Sequence, residues 1–349
     1  MSVSLVQTGV TLQGGAGVAL GLNAAFRQTY DLKMDYWRGL LPMFIDIVPS
    51  GMELESYFYS ESRPYPVRWP SGTTRGTKGF KRIRYTVVNK DWTSGVGWNR
   101  NQIADDVTKS LMADVKETAS RWATLEMRVA AQVIEGTTDF DLLDTIPNSP
   151  DGADLFNATN GAGDNRFGVS GGNIISGSGV ANESQIIKDF YAAQARFLNF
   201  KDTESQPLID PGTFVEGFVV MYPPALTEVM KRAFRAEVTL ATITAAGATA
   251  AAASNVAAAG TNNPVLAAGD NVTLFPNPYL TDTSDWYVFL KGANVKPLFW
   301  QDRQGIEERI LTAETGDRHA ILTKEEAILW DKRGTMGVNV PYGALMVNN

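Results

Sequence analysis

The sequence predicts an α+β fold, and three observations carry that prediction. The stretch "NQIADDVTKSLMADVKETASRWATLEMRVAAQVIEGTT" places Ile103, Val107, Leu111, Val115, Ala119, Trp122, Leu125, Val129 and Val133 at spacings of three and four, one apolar stripe along a long helix. Strand-like runs stand on both sides of it: "MELESYFYS" and "FKRIRYTVVN" before, and "VTLFPNPYL", "DWYVFL", "VKPLFW", "HAILTKEEAILWDKRGTMGV" and "ALMV" after. Two long stretches, 137–181 and the Ala-rich 239–268, read as loops, the first functional or mobile and the second flexible.

Composition and motifs narrow the function. The chain has 349 residues, 44% apolar and 20% charged, enough to bury a sizeable core. No run of about 18 apolar residues occurs, so no membrane span is expected. The N-terminal "MSVSLVQTGVTLQGG" lacks the basic-then-apolar order of a signal peptide. A net charge of -7 argues against nucleic-acid binding as the main activity. With no cysteine, disulfides, thiol catalysis and thiolate metal sites are excluded together. His319 is the only histidine and heads a strand-like run, so a histidine-based catalytic or zinc site has little to build on. Asp139, Asp141 and Asp144 in "TTDFDLLDT" lack the spacing of a calcium loop and read as a solvated turn after the helix. "GTTRGTKGF" departs from the phosphate-loop pattern, and "GAGDNRFG" follows no apolar strand. No catalytic, cofactor-binding or metal-binding residue is assigned, and the chain is read as a non-enzyme.

The elements follow in order. Residues up to about Leu40 form a glycine-spotted arm with a helix from about Ala19. The next two strand runs make a long hairpin, Gly51 to Trp92, with Ile83, Tyr85 and Val87 on one face and a Pro/Gly-rich tip. A lone hairpin is marginally stable, so this one needs a partner surface and is expected to order only on assembly. Arg63, Arg68, Arg75 and Lys78 make its tip basic on an acidic chain, and Tyr65 and Trp69 offer apolar anchoring area. A solvated charged hairpin is the competing reading. The acidic surfaces such a tip could reach on a neighbour include Asp139, Asp141, Asp144, Glu307 and Glu308. The stripe helix is read as one continuous spine with Asn101 as N-cap, Asp105 and Asp106 at its positive end and Gly136 at its stop. A second helix spans about Asn182 to Leu198. Phe218 to Met221 reads as a buried strand, followed by a Tyr-Pro-Pro turn and a short helix. Finally, Trp286–Leu290 and Val295–Trp300 are strands, and Gln301-Asp302-Arg303 is a polar strand exit able to pair with a neighbouring subunit.

The order of "YTVVNKDWTSGVGWNRNQIADD", the spine helix, "VVMYPPALTEVMKRAF", "NPYLTDTSDWYVF" with "VKPLFWQDR", and "EAILWDKRGTMGV" resembles the Mu-like phage major head subunit family over roughly Phe80 to Val347. "YPPALTEVMKRAF" and "VKPLFWQDR" weigh most. The glycine-rich N-terminus and the Ala-rich insertion depart from the pattern. That resemblance implies the Hong Kong 97 phage capsid fold. Its parts would be an N-terminal arm (1–50), an extended β-hairpin loop (51–95), a peripheral domain with the spine helix at about 103–135 (96–210), an axial domain with the Ala-rich loop 239–268 (211–290), and return strands shared by both (291–349). It implies a major capsid protein of a tailed bacteriophage or prophage, made in the bacterial host cytoplasm and ending in the virion. Self-assembly would give pentamers and hexamers of an icosahedral head around double-stranded DNA, without sequence-specific contact. Scaffold, portal and decoration proteins would be separate partners, and no membrane is involved. Another virion or encapsulating shell protein of the same fold is the first alternative, and a paired-carboxylate hydrolase the second. Cofactors: none are implied.

Overall fold

The structure is a computed structural model, and it describes residues 2–4, 11–62, 64–74, 76–77, 79, 81–101, 108–139, 142–240 and 260–349. The chain opens with β1 (Ser2–Ser4), β2 (Thr11–Gln13) and α1 (Gly14–Leu40), then β3 (Ile45–Pro49). Next come β4 (Leu54–Ser62), β5 (Lys81–Val88) and β6 (Lys90–Asn99), then α2 (Thr108–Ala123) and α3 (Leu125–Glu135). A long irregular segment carries β7 (Ile174–Ser176) and leads to α4 (Glu183–Leu198), β8 (Phe218–Tyr222) and α5 (Thr227–Arg235). After β9 (Val238–Leu240), β10 (Gly260–Asn262) and α6 (Pro264–Ala268) come β11 (Val272–Pro276), β12 (Trp286–Leu290) and β13 (Leu298–Leu311). The chain closes with α7 (Arg318–Thr323), β14 (Glu325–Val338) and β15 (Ala344–Asn348).

Two sheets organise these elements. One has the order β3-β13-β14-β6, the other β11-β8-β12-β15-β7, while β4 and β5 pair only with each other. The central strands of the second sheet are buried on both faces, so they read as unbroken apolar runs rather than alternating ones. Side chains still alternate between two cores. Phe218, Val220, Trp286 and Val288 pack with α4 and α5. Val219, Met221, Tyr287 and Phe289 face the larger core, shared with α1, α2, α3 and the first sheet.

Several expectations need correction. α1 starts at Gly14 rather than near Ala19, and it packs on the body of the chain, with Ala19, Leu22 and Phe26 buried in the larger core. Phe26 stacks on Trp330 at 4.1 Å. The spine is broken at Thr124, whose hydroxyl donates to Arg121 O (2.9 Å) and draws that carbonyl out of the helical ladder. Asn99 Oδ1 accepts from the Asn101 N–H at 2.9 Å; α2 is described only from Thr108, and Ile103, Asp105, Asp106 and Val107 lie outside the described residues. Gly136 stops the helix in the left-handed conformation, φ 64°, as its lack of a side chain predicts.

The polar Gln301-Asp302-Arg303 is not a strand exit. β13 continues to Leu311, absorbing the polar stretch through two register shifts against β14, between Asp302 and Gln304 and between Gln304 and Glu307. β6 was not foreseen as a strand. Its signal was present in Trp92, Ser94, Val96 and Trp98 at period two, masked by Gly95 and Gly97. Gly95 is required there, because a Cβ would sit 2.3 Å from the Leu329 side chain. His319 lies in α7 rather than in a strand, with an exposed Glu325 carboxylate 3.1 Å from Nε2. Within the Ala-rich stretch, 241–259 lie outside the described residues, but β10 and α6 make 260–268 regular, with Asn263 capping α6.

Nor is segment 145–173 a simple open loop. The Arg166 side chain is 1% exposed and is held by the Asp151 carboxylate (2.8 Å), the Asp154 and Leu155 carbonyls (2.8 Å each) and Asn173 Oδ1 (3.2 Å). A guanidinium with five fixed donors can gather this many acceptors from an irregular chain.

Candidate subunit interface

The hairpin β4–β5 is joined to the body along one face. Glu55 fixes its root, accepting the N–H groups of Gly51 (2.7 Å) and Met52 (2.9 Å) and the Ser50 hydroxyl (3.1 Å). Those donors, the Met52 amide first, hold its carboxyl below the usual carboxylate range. Tyr57 and Tyr85 sit on the inner face. Tyr57 lies 4.8 Å from the Phe299 ring and donates to Gln301 Oε1 (3.0 Å), while Tyr85 donates to Asn339 Oδ1 (3.4 Å). Burial pushes the Tyr57 hydroxyl up to about 12 and raises that of Tyr85 as well.

The outer face stays open. Leu54 lies opposite Val88 and Phe58 opposite Arg84, and Met52, Leu54, Phe58 and Val88 are all exposed. At the tip, Tyr65 donates to Pro207 O (2.7 Å) and Trp69 Nε1 to Thr73 O (2.8 Å). Arg68 is exposed, and Val67 beside it is 78% exposed. Arg63, Arg75 and Lys78 lie outside the described residues.

The acidic candidates are dispersed. Asp139 closes a small bridge with Leu143, and Asp141 lies outside the described residues. Asp144 pairs with Lys90 of its own chain at 2.7 Å, a hydrogen bond that lowers its carboxyl's pKa. Glu308 pairs with Arg27, which holds its carboxyl low, whereas Glu307 is exposed. Asp302 and Arg303 lie in mid-strand: Arg303 donates to Ser50 O (3.3 Å), and Asp302 Oδ1 is buried without a hydrogen-bond partner among the described residues. Among the described residues, none of these acids pairs with Arg68.

Among the described residues there is no group of three or more His, Asp or Glu side chains able to hold a metal ion, and no helix long and apolar enough to cross a membrane.

Residues 16–145 match the model of the Mu-like prophage major head subunit gpT family. "YPPALTEVMKRAF" and "VKPLFWQDR", which carry most of the resemblance in sequence, lie beyond the matched segment. Among solved structures, the chain is similar to the capsid of Myoviridae phage XM1, with a TM-score of 0.52, 8% identity, and coverage of 88% of this chain and 90% of that one. It is also similar to the capsid of a native GTA particle (TM-score 0.51, 10% identity, 88% of each chain) and to that of cyanophage P-SCSP1u (0.50, 12%, 88% and 86%). No curated protein matches the chain. At such identities the likeness establishes the fold: this is the Hong Kong 97-like phage capsid architecture, a mixed helix-and-sheet fold.

Proposed function

We propose that this chain, with a Mu-like head-subunit match and a phage capsid fold, is the major capsid protein of a tailed bacteriophage or prophage. The match over residues 16–145 carries this reading, because it covers most of α1, the whole hairpin and the spine. The chain assembles with itself into pentamers and hexamers of an icosahedral head and resides in the virion after synthesis in the host cytoplasm. Scaffold and portal are separate chains, with a decoration protein as a further partner. Packaged double-stranded DNA meets an acidic wall, where a net charge of -7 disfavours tight phosphate contact. The candidate interface residues act here as positioning and pairing groups between copies, with no catalytic step. Another virion or encapsulating shell protein of the same fold is the second reading, supported by the likeness to the capsid of a native GTA particle.

Electron microscopy of particles from cells expressing the head proteins together tests the proposal. Closed shells or ring-shaped capsomers built of this chain are expected, and a chain that stays monomeric at all concentrations overturns it.

A further inference from the structure

The five-stranded sheet ends in β7, the last strand in the order β11-β8-β12-β15-β7. β7 joins β15 in parallel, with Ile175 opposite Val347 and Ser176 opposite Asn348, and no strand among the described residues pairs with its other side. The Met346 N–H donates to Asn173 O (3.0 Å) and the Gly177 N–H to Asn348 O (2.7 Å). Residues 173, 175 and 177 therefore turn their main chain toward β15, and Ile174 and Ser176 turn theirs outward. The Ile174 N–H is taken by Gly171 O (3.0 Å). The Ile174 carbonyl and both main-chain groups of the exposed Ser176 have no hydrogen-bond partner among the described residues.

A groove of about 660 Å³ lies beside this edge, between β7 and α4. Ile175, Ala192 and Ala195 give it apolar walls, and its charged lining is wholly cationic, from Arg196 and Lys201. Arg196 is half-buried and donates from Nη1 to Ser170 O, and Lys201 is exposed. No carboxylate pairs with either among the described residues, whereas Arg27, Lys90, Arg100 and Lys332 each have one. On a chain of net charge -7, an unmatched pair of cations beside an open strand edge is complementary to an extended segment that carries carboxylates. A second β7 edge would bring the same two cations against these, so like charge disfavours a copy of this edge as the occupant.

We infer that β7 and this groove receive an extended acidic segment of a separate partner chain, which adds to the sheet as a strand through Ser176 and Ile174 and sets its carboxylates on Arg196 and Lys201. The surface belongs to the single subunit and is independent of whether shells form.

Fluorescence anisotropy of a labelled peptide of alternating valine and glutamate, titrated with the purified full chain, tests this. The glutamate peptide should bind saturably, and its lysine counterpart about tenfold more weakly or worse, the scale of one charge-assisted hydrogen bond. Arg196→Glu combined with Lys201→Glu should reverse that preference. Ser176→Pro removes the outward N–H and leaves the bonds to β15 in place, so it should weaken both peptides alike, with circular dichroism as the folding control. If that variant does not fold, hydrogen exchange of the Ser176 amide in the wild-type chain decides, and it should slow when the glutamate peptide binds. A glutamate peptide that does not bind overturns the assignment. So does one that binds folded Ser176→Pro as well as wild type, or binds without slowing exchange at Ser176, because charge alone would then account for it. Subunits that dimerise without peptide, and lose the dimer in Ser176→Pro, would give the edge to a second copy and overturn the separate chain.

Discussion

Arg166 and the Glu126–Lys332 pair show how buried charge shapes this protein one residue at a time. Arg166 knits 145–173 together through Asp151 and several carbonyls. Removing it strands a partly buried carboxylate and those acceptors. Arg166→Met should cost about 3–5 kcal/mol, read as a lower denaturation midpoint. Glu126 and Lys332 are both buried and 2.6 Å apart, and Lys332 Nζ also lies 4.8 Å over the Trp300 ring. Breaking the pair with Glu126→Leu alone should cost about 3 kcal/mol or more by leaving the ammonium unpaired. Glu126→Leu with Lys332→Met should fall within about 1 kcal/mol of wild type, since two apolar side chains need no pairing. A double variant as unstable as the single one would contradict this account.

At the scale of an element, the hairpin combines an anchored inner face with an open outer one. Its docking depends on groups that titrate at opposite ends of the pH range. The Glu55 carboxyl is lowered in the folded chain, so its contribution is complete above the ordinary value of 4.5 and is lost as pH falls below it. Tyr57 is raised, so its contribution is complete below the ordinary value of 10 and is lost as pH climbs toward about 12. Hydrogen exchange over β4 and β5 in free subunits should therefore show a plateau of protection from about pH 5 to about pH 10 and fall on either side. Protection that tracks global unfolding throughout would show that these side chains do not set the docking. Order on assembly, expected from the sequence for the whole hairpin, is not needed by its strands, because Tyr57 and Tyr85 already tie them to Gln301 and Asn339.

For the whole molecule, the expected behaviour is that of a subunit whose interfaces are individually weak and summed by symmetry. One exposed ion pair contributes about 0–1 kcal/mol, but a closed ring repeats each contact in every subunit. Arg68→Glu combined with Arg75→Glu should leave the subunit folded by circular dichroism while reducing or abolishing shells in sedimentation. Raised salt should weaken the wild-type contact in the same direction, because exposed charges are screened beyond about 10 Å at 0.1 M. Normal shell yield from the double variant would remove the basic tip from the assembly mechanism.

Periodicity by itself determined the spine stripe, the hairpin and the helix after Asn182, because local spacing decides which side chains share a face, and an unbroken apolar run marked the buried strand from Phe218. Gly136 was legible as a stop for the same local reason. Polar stretches were misread where distant partners decide their state. Gln301 and Asp302 stay in a strand because β3 and β14 pair with them on both sides, and no local signal reports that pairing. The Gly-interrupted β6 is held by β14, more than two hundred residues away in sequence, and the loop before β7 is ordered by one buried guanidinium. Of the interface, the residue types were readable: a basic tip, aromatic anchors and scattered acids. Which acids remain available was not, because Asp144 and Glu308 are taken by Lys90 and Arg27 only once the chain has folded.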